Sequence, residues 1–365
     1  MIEEQLLKSE EKAVFALRSL YRKYGYLPYK MSKFEEYELY IRNKDFLVSD
    51  RIITFNDTNG KLMALKPDVT LSIIKNSEDK KGVKQKVFYN ENVYRVSKST
   101  KNYKEIMQAG LECIGDIDLY DIFEAVTLAV KSLSLISDDF VLEISHLGIL
   151  SAILDEVCKD ELFQSQALEF ISQKNTHDLS RLCEKFEISA QKTADLVEFV
   201  STYGKRDEVI KKLKNIYKGE SLEELETLSN MLNSSEFSEK IIFDFSVVND
   251  MSYYNGIVFK GFLSEICEGV LSGGQYDNLM QKMDRKSGAV GFALYLDLLE
   301  QLSKPKKVFD VDVLLIYGEN DDKQKVAQKV NEFVNKGLSV SAQKCVPEKL
   351  RFKQKVEFLE GKNNA

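Results

Sequence analysis

The stretch "IMQAGLECIG" sets Met107, Ala109, Leu111 and Cys113 in alternation with Gln108, Gly110 and Glu112. Side chains of an extended strand repeat every two residues. The apolar set therefore faces a core, and the amide, the glycine and the carboxylate share the opposite face. A glycine between two polar side chains leaves room for something to lie on the sheet. The same alternation describes a strand with one solvated face, so spacing alone does not choose between the two. Other segments supply complementary groups: "ALKPDVTLSI" carries Asp68 and Thr70 beside a proline-fixed turn, "VYRVS" carries Arg95, and "SYYNGIVFKGF" carries Tyr253 and Tyr254. An aspartate for an ammonium, an arginine for a carboxylate, and Glu112 with Tyr253 or Tyr254 for an imidazole N–H would together suit a zwitterion with a polar ring.

These side chains need elements to hold them. Residues 2–24 carry apolar positions at helical spacing, among them Leu6, Leu7, Val14, Leu17 and Leu20, so an amphipathic helix is expected there. From about Leu47 the texture changes to short β-like runs. Asn59-Gly60 in "RIITFNDTNGKLMAL" marks a hairpin, and "KQKVFYNENVYRVS" and "EIMQAGLECIG" continue as strands. A helix is expected over Leu119 to Leu133, then several helices from Leu147 to about Lys240. Within these, Ser221 and Glu224 have capping-box spacing before Leu222, Leu225 and Leu228. Strands return at "KIIFDFSVV", "SYYNGIVFKGF" and "GVLSGGQYDNL", and a last helix pattern covers Val290 to Leu302. After a linker at 303–307, "VDVLLIYG", a helix from Lys323 to Lys336 and "LSVSAQ" form a β-α-β pattern, while "EKLRFKQKVEFL" suits a strand or a helix equally. The main body lacks a βαβα rhythm. It is expected to be an antiparallel α+β core interrupted by a helical insertion.

Bulk composition narrows the function. The 365 residues suffice for two or three domains, and 44% hydrophobic with 30% charged residues is ordinary for a globular chain. A net charge of −7 without a long basic block argues against a broad nucleic-acid surface. Five scattered cysteines, no CxxC pair and two histidines point to reduced thiols rather than a metal site. The acidic start "MIEEQLLKSEEK" lacks a signal-peptide core, and no stretch approaches the ~18 apolar residues of a membrane helix, so a cytoplasmic protein is expected. No P-loop, GxGxxG or HExxH is present, and His146, at a strand-to-helix junction, reads as structural. No cofactor and no metal are expected.

Residues 1 to about 302 resemble the class II core of histidyl-tRNA synthetase. The matching runs are "YGYLPYKMSKFEEYELY", "LKPDVT", "VYRVS", "NYKEIMQAGLECIG", "SYYNGIVFKGF" and "GGQYDNLM…AVGFALYLDLL", in the family's order. The resemblance implies a class II aminoacyl-tRNA synthetase-like fold, with a six-stranded antiparallel sheet flanked by helices and a helical insertion at about 147–240. It also implies dimerisation, and a histidine pocket on Asp68, Thr70, Arg95, Gln108, Glu112, Tyr253 and Tyr254. Residues 308–365 resemble the first part of that family's anticodon-binding domain and then stop, leaving a short C-terminal α/β fragment.

The catalytic half of the pattern is broken. The family's "RGLDYY" arginine is replaced by Asn249, its final Glu-Arg-Leu by Asp297, Leu298 and Leu299, and a nucleotide-contacting glutamate by Ser97. Adenylate formation builds negative charge at phosphorus, and losing one group that stabilises such charge typically costs about 10²–10³ in rate. This departure is similar to a paralogous family, the regulatory subunits of ATP phosphoribosyltransferase. That resemblance implies no catalysis by this chain and no tRNA. It implies a short-form catalytic subunit as partner, L-histidine as effector, and a dimer of this core within a hetero-oligomer. The alternatives are an active histidine–tRNA ligase, or a histidine-binding module for another partner.

Overall fold

The computed structural model describes residues 7–44, 52–96, 102–248, 253–302 and 309–358. The chain divides into two compact units, Met1–Leu302 and Ser303–Ala365. The expected linker at 303–307 lies outside the described residues, as does Leu6.

The first unit opens with helix α1 (Ser9–Lys23), strand β1 (Leu27–Pro28), strand β2 (Phe34–Glu36) and helix α2 (Tyr37–Arg42). It continues with β3 (Thr54–Asn56), β4 (Leu62–Leu65), α3 (Thr70–Asn76), and the long strands β5 (Lys84–Val96) and β6 (Tyr103–Gly115). Helix α4 (Leu119–Ser134) and strand β7 (Phe140–His146) lead into helices α5 (Leu147–Val157), α6 (Glu161–Ser172), α7 (Thr176–Lys185) and α8 (Ala190–Val200). Strand β8 (Tyr203–Lys205), α9 (Arg206–Ile216) and α10 (Glu220–Leu232) close the insertion. Strands β9 (Ile241–Asp244), β10 (Ile257–Leu263) and β11 (Leu271–Gln275), helix α11 (Asp277–Lys282), strand β12 (Gly288–Tyr295) and a 3-10 segment over Leu296–Leu302 complete the unit.

One nine-stranded sheet organises these elements, in the order β1-β5-β6-β12-β11-β10-β7-β9-β8. Its middle run, β5 to β7, is six strands paired antiparallel throughout, and the parallel pairs β1–β5 and β7–β9 extend it at either side. A separate three-stranded sheet, β2-β4-β3, stands apart. The two faces of the large sheet bury different cores. Ala109, Leu111 and Cys113 join α1, α4 and the insertion helices in the larger core. Val87, Tyr89, Val93 and Ile114 join Tyr40, Leu71 and Tyr276 in the smaller one.

Local sequence accounts for most of the framework. Helix α4 starts at Asp118, whose side chain accepts from the amides of Tyr120 and Asp121, and Asp121 answers in a capping box. The hairpin at Asn59-Gly60 forms, but across the five residues Asp57 to Lys61 rather than as a two-residue turn. Asp57 Oδ1 accepts from the amides of Asn59 and Lys61, and Gly60 takes φ +79°.

Several expectations are corrected. Helix α1 starts at Ser9, with Leu7 outside it. Helix α10 starts at Glu220 behind Gly219, so Ser221 lies inside the helix and caps nothing. Glu224 turns to His146 instead, 3.4 Å from Nε2, while Leu222, Leu225 and Leu228 are buried as their spacing demands. The helix expected over Val290 to Leu302 is instead strand β12 and the 3-10 segment. β12 sits between β6 and β11, and its sequence GAVGFALY is small or apolar at almost every position, which erases the period of two that would have announced a strand.

The second unit is a parallel sheet in the order β14-β13-β15, from β13 (Val311–Ile316), β14 (Val340–Gln343) and β15 (Phe352–Glu357), with helix α12 (Lys323–Asn335) between β13 and β14. The ambiguous "EKLRFKQKVEFL" supplies β15 as a strand.

Candidate functional site

The register of the central strands builds a floor. Glu112 on β6 lies opposite Gly291 on β12, Gly110 opposite Ala293, and Gln108 opposite Tyr295; Ala293 in turn faces Ser272 on β11. The middle rows are therefore nearly bare backbone, with long polar side chains at the ends. Close approach requires this. A Cβ at Gly291 would overlap Glu112 Oε2 and the Leu111 carbonyl, and one at Gly110 would overlap the Phe292 carbonyl. Over this floor lies a cavity of about 180 Å³. All seven residues singled out from the sequence line it.

Glu112 anchors one end. It is only 2% exposed, and its carboxylate accepts from Thr70 Oγ1 at 2.8 Å and from the Tyr276 hydroxyl at 2.5 Å. Burial pushes its pKa up to about 8; the two hydroxyl donors oppose that rise and the charge of Asp68 adds to it. Burial likewise raises the phenol pKa values of Tyr89, Tyr253 and Tyr276, which all border this acid.

Asp68 and Arg95 form the second group. The proline turn brings Asp68 to the head of α3, where Oδ1 accepts from the Leu71 amide at 2.9 Å. Arg95, on β5, donates from Nε to the Pro67 carbonyl at 2.8 Å and places a guanidinium nitrogen 4.0 Å from Asp68 Oδ2. Burial raises the Asp68 carboxyl, and Arg95 with the amides of Leu71 and Thr70 pulls it back. A tyrosine wall completes the site: the rings of Tyr253 and Tyr254 lie 4.6 Å apart at 45°, and Tyr276 stands 5.7 Å from the first and 6.5 Å from the second.

The cavity places Glu112, Tyr253 and Tyr254 on one lining, and the hydroxyls that donate to the Glu112 carboxylate come from Thr70 and Tyr276. Tyr276 was within reach of sequence reasoning, since "GGQYD" was already singled out. Tyr89 shares the alternation of Val87, Glu91, Val93 and Arg95 on β5, a signal that was there to use. Tyr295 was hidden by taking its strand for a helix.

Chemically, the cavity pairs the buried acid Glu112 and the part-buried acid Asp68 with Arg95. Arg95 is the only Lys or Arg lining it among the described residues. Leu298 packs against the larger core, so the position expected to carry a second arginine presents an apolar side chain. Asn249 and Ser97 lie outside the described residues. His146 caps α5, accepting from the Gly148 amide at 3.1 Å, which is a structural task. Among the described residues there is no cluster of three or more His, Cys, Asp or Glu able to hold a metal, and no helix is long and apolar enough to cross a membrane.

A six-strand antiparallel run flanked by helices, with a polar amino-acid-sized cavity on one face, defines a class II aminoacyl-tRNA synthetase-like protein. The chain belongs to the histidyl-tRNA synthetase family, whose model matches residues 2–299. Among its relatives, the ATP phosphoribosyltransferase regulatory subunit of Oceanobacillus iheyensis is 29% identical over 307 residues, covering 81% of this chain and 75% of the relative. That of Clostridium botulinum (strain 657) is 26% identical over 317 residues, covering 83% and 75%. A Bacillus halodurans structure described as an ATP phosphoribosyltransferase regulatory subunit/histidyl-tRNA synthetase superposes with a TM-score of 0.77 at 24% identity, covering 96% of this chain and 93% of its own. The ATP phosphoribosyl transferase (HisG:HisZ) complex from Thermotoga maritima contains a chain matching with a TM-score of 0.62 at 21% identity, covering 78% and 96%. These two likenesses concern the fold.

Proposed function

We propose that this chain is a non-catalytic regulatory subunit of ATP phosphoribosyltransferase. It activates a separate short catalytic subunit in the first step of histidine biosynthesis, and L-histidine acts on it as feedback effector. The names of the relatives support the assignment, and the Thermotoga maritima complex supports a catalytic partner of that kind. The observation that carries the reading is the cavity itself: Asp68, Arg95, Gln108 and Glu112 converge where one guanidinium can take a carboxylate, and among the described residues no second Lys or Arg lines the wall to stabilise a phosphoryl transition state.

In this reading Asp68 holds the ligand ammonium, Arg95 its carboxylate, and Glu112 its imidazole N–H. Thr70 holds the Glu112 carboxylate in place, Gln108 contacts the ligand backbone, and Tyr253 and Tyr254 enclose its ring. Feedback requires histidine to bind one conformation of the assembly more tightly than the other, since equal binding shifts nothing. The same reading has the core dimerise within a hetero-oligomer, in the cytoplasm, without tRNA.

Reconstitution tests it. Mixing the chain with a short-form catalytic subunit is expected to give a complex on gel filtration. Phosphoribosyl transfer to ATP should then exceed that of the catalytic subunit alone, and L-histidine should suppress the gain. No complex and no change in rate would dismiss the proposal, and histidine-dependent exchange of pyrophosphate into ATP by this chain would favour a working ligase instead.

A further inference from the structure

The cavity face of β12 carries Gly291, Ala293 and Tyr295 in succession, opposite Glu112, Gly110 and Gln108 on β6. The first two leave the floor open, and the third raises a phenol ring at the end farthest from Glu112. Tyr295 is the last residue of β12, and its amide donates to the Val270 carbonyl at 2.8 Å. Its phenol lies near enough to the Arg95 guanidinium for that charge to offset part of the effect of burial on it, and Arg95 Nε is already held by the Pro67 carbonyl at 2.8 Å. Pro67, Asp68 and Tyr295 thus stand around Arg95, the only Lys or Arg lining the cavity among the described residues, and a carboxylate seated on Arg95 has the Tyr295 ring beside it.

We propose that Tyr295 is a specificity-determining residue that limits the length of ligand the cavity accepts: a free α-carboxylate fits beside Arg95, whereas a carboxyl bearing a further group, such as a nucleotide ester, is excluded. This rests on the amino-acid reading of the cavity given above. It adds a steric bar to the missing cations. Restoring arginines at Asn249 and Leu298 would not rebuild an adenylate site while Tyr295 stands.

Calorimetry on the full chain tests the limit with two probes, L-histidine and the non-hydrolysable 5′-O-(N-L-histidylsulfamoyl)adenosine. Wild-type protein is expected to prefer L-histidine by about 100-fold or more, and Tyr295→Ala to shrink that preference about tenfold or more. Tyr295→Phe, which keeps the ring and loses the hydroxyl, is expected to retain the preference, separating bulk from hydrogen bonding. If Tyr295→Ala does not fold, Tyr295→Leu is judged by the same ratio. Equal affinity of wild type for the two probes overturns the inference, as does an unchanged ratio in the folded variant. Histidine failing to bind wild type at all overturns the amino-acid reading, and this inference with it.

Discussion

Thr70 donates its hydroxyl to Glu112 at 2.8 Å, joining the first turn of α3 to the centre of β6 across 42 residues of sequence. The bond decides which way a buried acid faces. Without it and its Tyr276 counterpart, the Glu112 carboxylate would be an uncompensated acid in a core of tyrosines.

Glu112 makes stability depend on pH. Its carboxyl titrates at about 8 in the fold, against 4.5 ordinarily. Between those values the folded protein holds a proton that the unfolded chain has released, so Glu112 lowers stability as pH rises through that window and adds no further slope outside it. Glu112→Gln should remove this contribution. Urea midpoints at about pH 5 and about pH 8 are expected to show the wild type losing ~1–3 kcal/mol more than the variant; parallel losses would refute this.

Tyr276→Phe deletes one of the two hydroxyl donors on Glu112 and leaves the ring. Below about pH 8 Glu112 keeps its proton, so this is a bond to a neutral acid worth about 0.5–1.5 kcal/mol, and a modest drop in melting temperature is expected. Histidine affinity measured by calorimetry should fall with it, because the carboxylate loses its orientation.

Gly291→Ala would drive a Cβ into Glu112 Oε2 and the Leu111 carbonyl. A carbonyl inside a paired strand cannot swing aside, so a destabilisation of about 1–3 kcal/mol and loss of histidine binding are expected. Normal melting and binding would show that the floor is more tolerant than its register implies.

Arg95→Lys retains the charge and loses the planar fork. An ammonium cannot hold the Pro67 carbonyl and a ligand carboxylate in the fixed geometry of a guanidinium, so histidine affinity is expected to fall about tenfold or more with the fold intact. Gln108→Ala should also weaken binding; normal affinity in both variants would move the ligand elsewhere.

Much of the framework was legible because its signals are local. The Asp118 cap of α4, the Asp57 turn and the buried leucines of α10 each follow from residues within one or two turns of one another. Signals failed where both faces of a strand carry small or apolar residues, or are buried. β12 lost its period of two, and with it Tyr295 went unrecognised. On β6, every residue from Gln108 to Gly115 is buried, because the face that alternation would assign to solvent lies under a second core.

The sequence by itself offered the cast: two acids, a threonine, one arginine, an amide and a tyrosine pair, placed on a framework of class II type, with Asn249 and Leu298 where the resemblance expects arginines. Tertiary structure alone decided that Glu112 answers to Thr70 and Tyr276, that Pro67, Asp68 and Tyr295 stand around Arg95, and that Gly291 gives the acid its floor. The reason is physical. Residue type and spacing set what a side chain can do and which face of its own element it takes. Which neighbours it meets depends on strand register and on contacts between segments far apart in the chain, and neither is encoded within any single stretch.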